Sequence, residues 1–477
     1  MSQIRVRFAP SPTGYLHIGG LRTALYDYLF ARSLKGKCIL RIEDTDRNRL
    51  VEGAVENLIQ SLEKLDLHFD EGPGIGGDHG PYIQSERLEL YHQEAERLLK
   101  SGHAYHCFCT PETLAEMRQQ QQEAKEFVKY DRRCLSLTPE QVQAKLDAGE
   151  PHVLRLNMPD DHEFVVEDLI RGTVQIDASQ SDDQVLLKSD GFPTYHLAAV
   201  VDDHYMEISH VIRGEEWLSS TPKHIWLYQC LGWEPPQWVH LPLILNQDRS
   251  KLSKRMNDVS VESYLQKGYL KEALINFIAL LGWHPADDRE FYSLDELCQT
   301  FTLERVSKAG AVFDLTKLDW MNGYYLKELP LESIVERSLP YFETAGLQLP
   351  DAAKLHRMVD VARPRCNLLA DIPQYCRMFL TTPNPQGKEL QGIQSEDSKK
   401  VLSWFASNLP AHFPLDDEKV DSLVKEALAA TGLKAKAFYT PLRLALLGQA
   451  HGPDLPNTFA ILGDSEALIR IQTALEL

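Results

Sequence analysis

A doubly wound α/β fold with a parallel sheet is predicted by two features of the N-terminal third. Residues Arg5 to Leu29 read as strand, turn and helix, and residues Lys37 to Leu99 continue the alternation with a second strand and two helical patterns. A third feature limits that fold. From about Leu329 the helical spacing runs on with no strand alternation, so an all-helical C-terminal domain is expected beyond a boundary near Pro330.

The elements follow in order. Val6 and Phe8 alternate with Arg5 and Arg7, which suits a short strand. Pro10, Ser11, Pro12, Thr13 and Gly14 break it. Gly19 and Gly20 then open a run with helical spacing through Leu21, Ala24, Leu25, Tyr28 and Leu29. A strand breaking into a glycine turn at a helix N-terminus is suited to hold phosphate, because first-turn N–H groups lack partners and the dipole favours an anion. His17 adds a side-chain donor there. Lys37 to Ile42 reads as the second strand and ends in Glu43, Asp44, Thr45, Asp46 and Arg47. Ligands of such folds sit beyond the C-terminal ends of the strands, which places Ala9 to Gly20 and Glu43 to Asp46 on one rim.

Helical patterns cover Val51 to Leu65 and Glu86 to Leu99, with a glycine-rich loop from Gly72 to Gly80. At His103 the texture changes. Cys107 and Cys109, a Gln-rich helical run, Arg132, Arg133 and Cys134, and short Val-rich segments mark an insertion over about 103–190. The alternation resumes at Gly191 to Val201, with a strand at Ile208 to Arg213, a helix at Thr221 to Leu231 and a strand at His240 to Asn246. A polar, basic loop, Gln247 to Arg255, comes next, then helices at Val261 to Gln266 and Leu270 to Leu281. The expected division is therefore 1–330, with sheet halves at about 1–102 and 191–245 and a helical region at 246–330, followed by 331–477.

Composition narrows the class. A chain of 477 residues with 43% hydrophobic and 25% charged content is an ordinary globular one of about three domains. Its longest apolar runs, such as Ala273 to Trp283, are too short to span a bilayer, and Met1 to Pro10 has no secretory apolar core. Eight cysteines do not make a dense disulfide framework, so a cytoplasmic location is expected. A net charge of −19 excludes a broadly basic nucleic-acid binder but not a local basic face.

Two separated pieces would meet at one rim: the turn with His17, and the basic loop with Lys251 and Lys254. Positive charge opposite a helix N-terminus is what a triphosphate and its leaving pyrophosphate require.

On these residues the chain resembles the bacterial-type, class I glutamyl-tRNA synthetases. His17-Ile18-Gly19-Gly20 is similar to the HIGH motif of that class, and Lys251-Leu252-Ser253-Lys254-Arg255 to its KMSKS motif. Leu40 to Asp46 resembles a signature of the Glu/Gln branch. Pro193 to His196, Val200 to Asp203 and Val211 to Glu216 match the second half-domain, and Lys434 to Leu455 the C-terminal helical domain. The resemblance runs in order along nearly the whole chain. It implies a Rossmann-like catalytic domain, an acceptor-binding insertion and an all-α anticodon-binding domain.

The implied reaction activates L-glutamate with ATP to glutamyl-adenylate and pyrophosphate, then transfers glutamate to the 3′ end of tRNA-Glu. By the family pattern His17 and Lys254 would be catalytic. ATP would be bound by His17, Gly19, Gly20, the Leu243 and Ile244 backbone, Lys251 and Lys254, with Mg2+ as a charge bridge. Glutamate would be bound by Arg7, Ala9, Ser11, Glu43, Tyr195 and Arg213. Ala199 stands where some relatives have an asparagine that helps hold the α-carboxylate. Cys107, Cys109 and Cys134 match a zinc site of some members, whose fourth ligand, a histidine, is here Ser136; Tyr130, His106 or water are alternatives, and so are three reduced thiols. Arg132 and Arg133 would contact tRNA phosphate, and Arg363 and Arg365 lie in the anticodon-reading region. A monomer with no membrane attachment is expected. The alternatives are a non-discriminating enzyme that also glutamylates tRNA-Gln, a glutamine-specific enzyme, or a catalytically inactive tRNA-binding paralogue.

Overall fold

Strand β1 (Arg5–Phe8) is buried along its whole length, arginines included, and this sets the architecture around it. The structure is a computed structural model describing residues 3–252 and 259–477. It divides into two compact units, Met1–Tyr264 with Leu274–Asp314, and Leu265–Ala273 with Leu315–Leu477.

In the first unit, β1 leads through α1 (Ile18–Ser33) to β2 (Lys37–Leu40), which pairs with it in parallel, Arg5 opposite Lys37 and Phe8 opposite Leu40. A strand buried on both faces has to satisfy its arginines internally. Arg5 does so by chelating Glu71 at 2.9 and 3.1 Å, and Lys37 reaches the same carboxylate at 2.9 Å. Helices α2 (Ala54–Lys64) and α3 (Leu88–Lys100) follow, the first starting later than the periodicity suggests.

The insertion begins with β3 (Ala104–Cys107). Helices α4 (Pro111–Glu123) and α5 (Pro139–Asp147) each start at a threonine cap followed by proline, a strong helix-start signal. β4 (Val153–Leu156) returns antiparallel to β3. The hairpin of β5 (Glu163–Asp168) and β6 (Gly172–Asp177) comes next, and β7 (Val185–Leu187) closes the small sheet against β4.

The second half of the main sheet has α6 (Tyr195–Tyr205), β8 (His210–Gly214), α7 (Thr221–Leu231) and β9 (Gln237–Leu241). β8 and β9 are parallel, and Ser209 stitches β8 to β1: its N–H donates to the Arg5 carbonyl at 2.9 Å and its Oγ accepts from the Arg5 N–H at 2.8 Å. The parallel strands thus run in the order β2, β1, β8, β9, with the direction of winding reversing between β1 and β8. A crevice forms at such a point.

Two features differ from the sequence expectation. The hairpin β5–β6, sequentially within the insertion, adds onto the main sheet where Asp168 sits opposite Trp238 of β9. The strand expected over His240 to Asn246 is split into β9 and a short piece at Ile244–Leu245, because Pro242 has no N–H for a ladder.

Among its described residues the second unit is all helical, from Leu315–Glu328 to Asp464–Glu476. Phe405, Phe438 and Phe459 are buried at its centre, with ring centroids 6.1 and 6.3 Å apart around Phe405. Pro330, the expected boundary, caps the helix Leu331–Thr344, and the helix before it already belongs to this unit.

Glu71 gives the sheet a pH signature. Burial alone would push its carboxyl up; hydrogen bonds from Arg5, Tyr82 and Lys37 outweigh burial and hold it at about 2, against an ordinary value of 4.5. A carboxyl depressed by folding stabilises the protein above its unfolded value and loses that contribution as pH falls through the folded one. Stability should therefore fall between 4.5 and about 2. Glu71→Gln is expected to cost on the order of 3 kcal/mol at neutral pH and to flatten that acid slope, as measured by denaturant unfolding across the range.

Candidate active site

A cavity of about 850 Å³ opens at the C-terminal ends of β1 and β8. All of the expected ATP and glutamate residues that the structure describes line it. Lys254, with Ser253 and Arg255, lies outside the described residues.

One end is made by α1. His17 is its N-cap, and its Nδ1 accepts from the Gly20 N–H at 3.1 Å. That bond places the ring proton on Nε2. The Ile18 N–H is also engaged, by the Val259 carbonyl at 2.8 Å. The helix end is thus less open than first-turn spacing suggests. A Cβ at Gly19 would stand 3.1 Å from the His17 ring, so glycine here makes room for the histidine itself. Across the cavity, the Leu243 N–H donates to Glu215 at 2.9 Å, its carbonyl accepts from Ala311 at 3.0 Å, and the Ile244 carbonyl accepts from Leu252 at 2.9 Å. Lys251 pairs with Glu216 at 3.5 Å.

The other end is built on ion pairs. Arg7 donates to Asp203 from Nε at 2.9 Å and Nη2 at 3.4 Å, and from Nη1 to the Ile212 carbonyl at 3.4 Å. Asp203 also accepts from Arg41 at 2.7 Å, and Arg41 donates onward to Glu43 at 3.0 Å. Burial pushes the Glu43 carboxyl up, and Arg41 and Arg7 only partly offset it. Ser11 and Ala9 form the wall where β1 ends, Ser11 exposed. Arg213, at the end of β8, donates to the Tyr195 hydroxyl at 3.1 Å, and the Tyr195 ring packs 4.5 Å from that of Trp217. Ala199 is buried inside α6.

The insertion gathers Cys107, Cys109 and Cys134, whose sulfurs all lie within 4.8 Å of one another. Tyr130 Oη is 3.4 Å from both Cys107 and Cys109 Sγ. His106 alternates to the opposite face of β3, against His152, and Ser136 donates into its own turn, to the Arg133 carbonyl at 2.8 Å. Neither stands at the cluster. Arg132 is spent on Asp183 at 2.9 Å and on Asp160, and Arg133 on Asp131 at 2.6 Å. In the second unit Arg363 pairs with Asp360 at 3.0 Å, and Arg365 donates to the Val361 carbonyl at 3.1 Å.

Sequence reasoning missed Asp203, although two adjacent carboxylates inside an apolar helical run (Asp202, Asp203) signal buried basic partners. It also missed Asp168, His224 and His240 around Arg213, for which no local signal exists.

Comparison with known proteins agrees with the geometry. The family described as "tRNA synthetases class I (E and Q), catalytic domain" matches residues 3–320, and "Anticodon binding domain" matches 333–475. A glutamate–tRNA ligase of Alkaliphilus metalliredigens is 47% identical over 486 residues, covering 99% of each chain. One from Clostridioides difficile is 43% identical over 485 residues, covering 98% of each. The crystal structure of a glutamate tRNA ligase from Elizabethkingia meningosepticum, in complex with its amino acid, has a TM-score of 0.93 and 37% identity, covering 100% of this chain and 99% of that one. In sequence and in fold, the chain belongs to the glutamate and glutamine branch of the class I tRNA synthetases.

Proposed function

We propose that the chain is a glutamate–tRNA ligase: it activates L-glutamate with ATP and transfers it to the 3′ end of tRNA-Glu. The observation that carries this reading is a single cavity whose opposite ends suit the two substrates of the first step, a buried arginine with a tyrosine at one and a histidine-capped helix start at the other.

Glutamate would lie with its side-chain carboxylate at Arg213 and Tyr195, with Arg7 behind them, and its ammonium at Glu43 and Ser11. Its α-carboxylate attacks the α-phosphorus of ATP and pyrophosphate leaves. No covalent bond to the protein is needed, so catalysis is alignment plus charge stabilisation. His17 Nε2–H and Lys254 serve the phosphates, and Lys251 exchanges Glu216 for phosphate when ATP enters. Magnesium bound with the nucleotide would supply positive charge against the phosphates.

The thiol cluster fits zinc. Structural zinc takes four ligands at about 2.0–2.3 Å, and three thiolates with the Tyr130 oxygen can close on one ion. Hydrogen bonds from Cys134 and Tyr130, with Arg155 nearby, favour the Cys107 thiolate against its burial.

Three outcomes follow. Lys254→Ala is expected to slow adenylate formation by about 10²-fold while tRNA binding is retained; near-normal pyrophosphate exchange would remove Lys254 from catalysis. Labelled glutamate, and not glutamine, should be charged onto purified tRNA-Glu; glutamylation of tRNA-Gln by the same preparation would make the enzyme non-discriminating. Protein purified without chelator should carry about one zinc per chain, and Tyr130→Phe should release it at lower chelator concentration than the parent. Metal-free protein would leave three reduced thiols.

A further inference from the structure

Arg213 is unusual in what surrounds it. It is 6% exposed, yet among the described residues no carboxylate pairs with it. Its Nε donates to His240 Nε2 at 3.0 Å, Nη1 to Tyr195 Oη at 3.1 Å and His224 Nδ1 at 3.2 Å, and Nη2 to Thr221 Oγ1 at 2.9 Å and the Trp217 carbonyl at 3.4 Å. Every acceptor is neutral. Arg7 and Arg41, by contrast, share Asp203.

These bonds fix the tautomers. A guanidinium N–H can only donate. His240 must therefore accept at Nε2 and carry its proton on Nδ1, which faces Asp168 Oδ2 at 2.7 Å. Asp168 is itself anchored: Oδ1 accepts from the Ile170 and Arg171 N–H groups at 2.9 and 2.7 Å, and Oδ2 also accepts from the His240 N–H at 3.0 Å. His224 must accept at Nδ1 and carry its proton on Nε2, which faces His196 Nδ1 at 3.1 Å. Burial, and then the Arg213 charge, hold His224 well below its ordinary value. Burial, with Lys223 and Arg213, brings His196 down to about 3. His240 is lowered by burial and by Arg213 despite its bond to Asp168.

We propose that Asp168–His240 and His196–His224 are two positioning arms that lock the Arg213 guanidinium in one orientation without neutralising it, so that substrate selection turns on side-chain charge. This rests on Arg213 being the ligand of the glutamate side chain. A carboxylate placed directly on Arg213 would hold it equally well but would cancel the charge that separates a carboxylate from a carboxamide. The imidazole spacer transmits the anchor and keeps the charge.

Amide isosteres test the arms. Glutamine places its amide where histidine has Nε2, and asparagine where it has Nδ1. The atom facing Arg213 is Nε2 at position 240 and Nδ1 at position 224. His240→Asn and His224→Gln should thus raise the glutamate KM about tenfold or more, with kcat and the ATP KM within about threefold, and lower the glutamate-over-glutamine ratio of kcat/KM by a similar factor. His240→Gln and His224→Asn keep the acceptor on Arg213 but lose the outer bond to Asp168 or His196, and should fall between the parent and the crossed variants. A merely structural role would rank the two amides alike at both positions, following thermal stability; that ranking, or an unchanged glutamate KM in His240→Asn and His224→Gln, overturns the proposal. Should one pair fail to fold, the other decides alone. Arg213→Gln separates the underlying reading: an unchanged glutamate KM there removes Arg213 from the substrate, whereas a raised KM without the crossed pattern removes only the arms.

Discussion

One buried carboxylate, Asp203, connects the two halves of the catalytic sheet. It stands on α6 in the second half and accepts from Arg7 at 2.9 Å and Arg41 at 2.7 Å, both from the first half. Its neighbour Asp202 accepts from Arg87 at 2.7 Å and from Gln84 at 2.8 Å. Burial disfavours the Asp203 charge, but Arg7 and Arg41 outweigh it and keep the carboxyl below its ordinary value. A buried pair is weak evidence of net stability, while removing one partner costs about 3–5 kcal/mol. Such a network therefore specifies register more than it adds stability. It fixes how β1, β2 and α6 face one another, and Arg41 carries the constraint on to Glu43 at 3.0 Å.

Charge balance then differs between the two arginines assigned to the glutamate side chain. Arg7 is already matched by Asp203, and Arg213 is matched by nothing anionic among the described residues. On the proposed assignment an entering carboxylate would gain most at Arg213, with Arg7 shaping the wall behind it. Glu43 shows the converse: burial has pushed its carboxyl up, so an entering ammonium favours its ionised form. On the proposed placement the substrate's side-chain carboxylate would complete the one balance left open, at Arg213, whereas Glu43 already accepts from Arg41 at 3.0 Å and would share its charge with the ammonium.

What could be read from the sequence was local. The β1–α1–β2 unit and the helix Thr221–Leu231 declare themselves through periodicity and through glycine and proline punctuation, and they stand where expected. Strand order placed His17 and Glu43 on one rim, while Tyr195 and Arg213 were added by the family resemblance; all four line one cavity. The hairpin Glu163–Asp177 did not declare its partner, because the pairing of Asp168 with Trp238 joins positions far apart in the chain. The surroundings of Arg213 were hidden for the same reason. His224 on a helix and His240 on a strand each look like ordinary core histidines until β8, α7 and β9 are assembled. Which of Tyr130 and His106 stands beside the three thiols needed the side-chain alternation of β3, which turns His106 away, and the turn that occupies Ser136.

The helix start at His17 illustrates how one motif serves two demands. The sequence suggested a row of open N–H groups for phosphate. Instead, the Gly20 N–H is taken by His17 Nδ1 and the Ile18 N–H by Val259. An N-cap worth about 1 kcal/mol stabilises α1, and the same bond dictates which ring nitrogen bears the proton. Fewer backbone donors remain for phosphate, so on the proposed reading charge stabilisation would fall more heavily on side chains, those of His17, Lys251 and Lys254. Lys251 rests on Glu216 at 3.5 Å, an exposed pair worth little, and exchanging it for phosphate carries only a small penalty. A side-chain phosphate site of this kind can assemble when ATP arrives and come apart when pyrophosphate leaves, which a site made wholly of fixed helix N–H groups would do less readily.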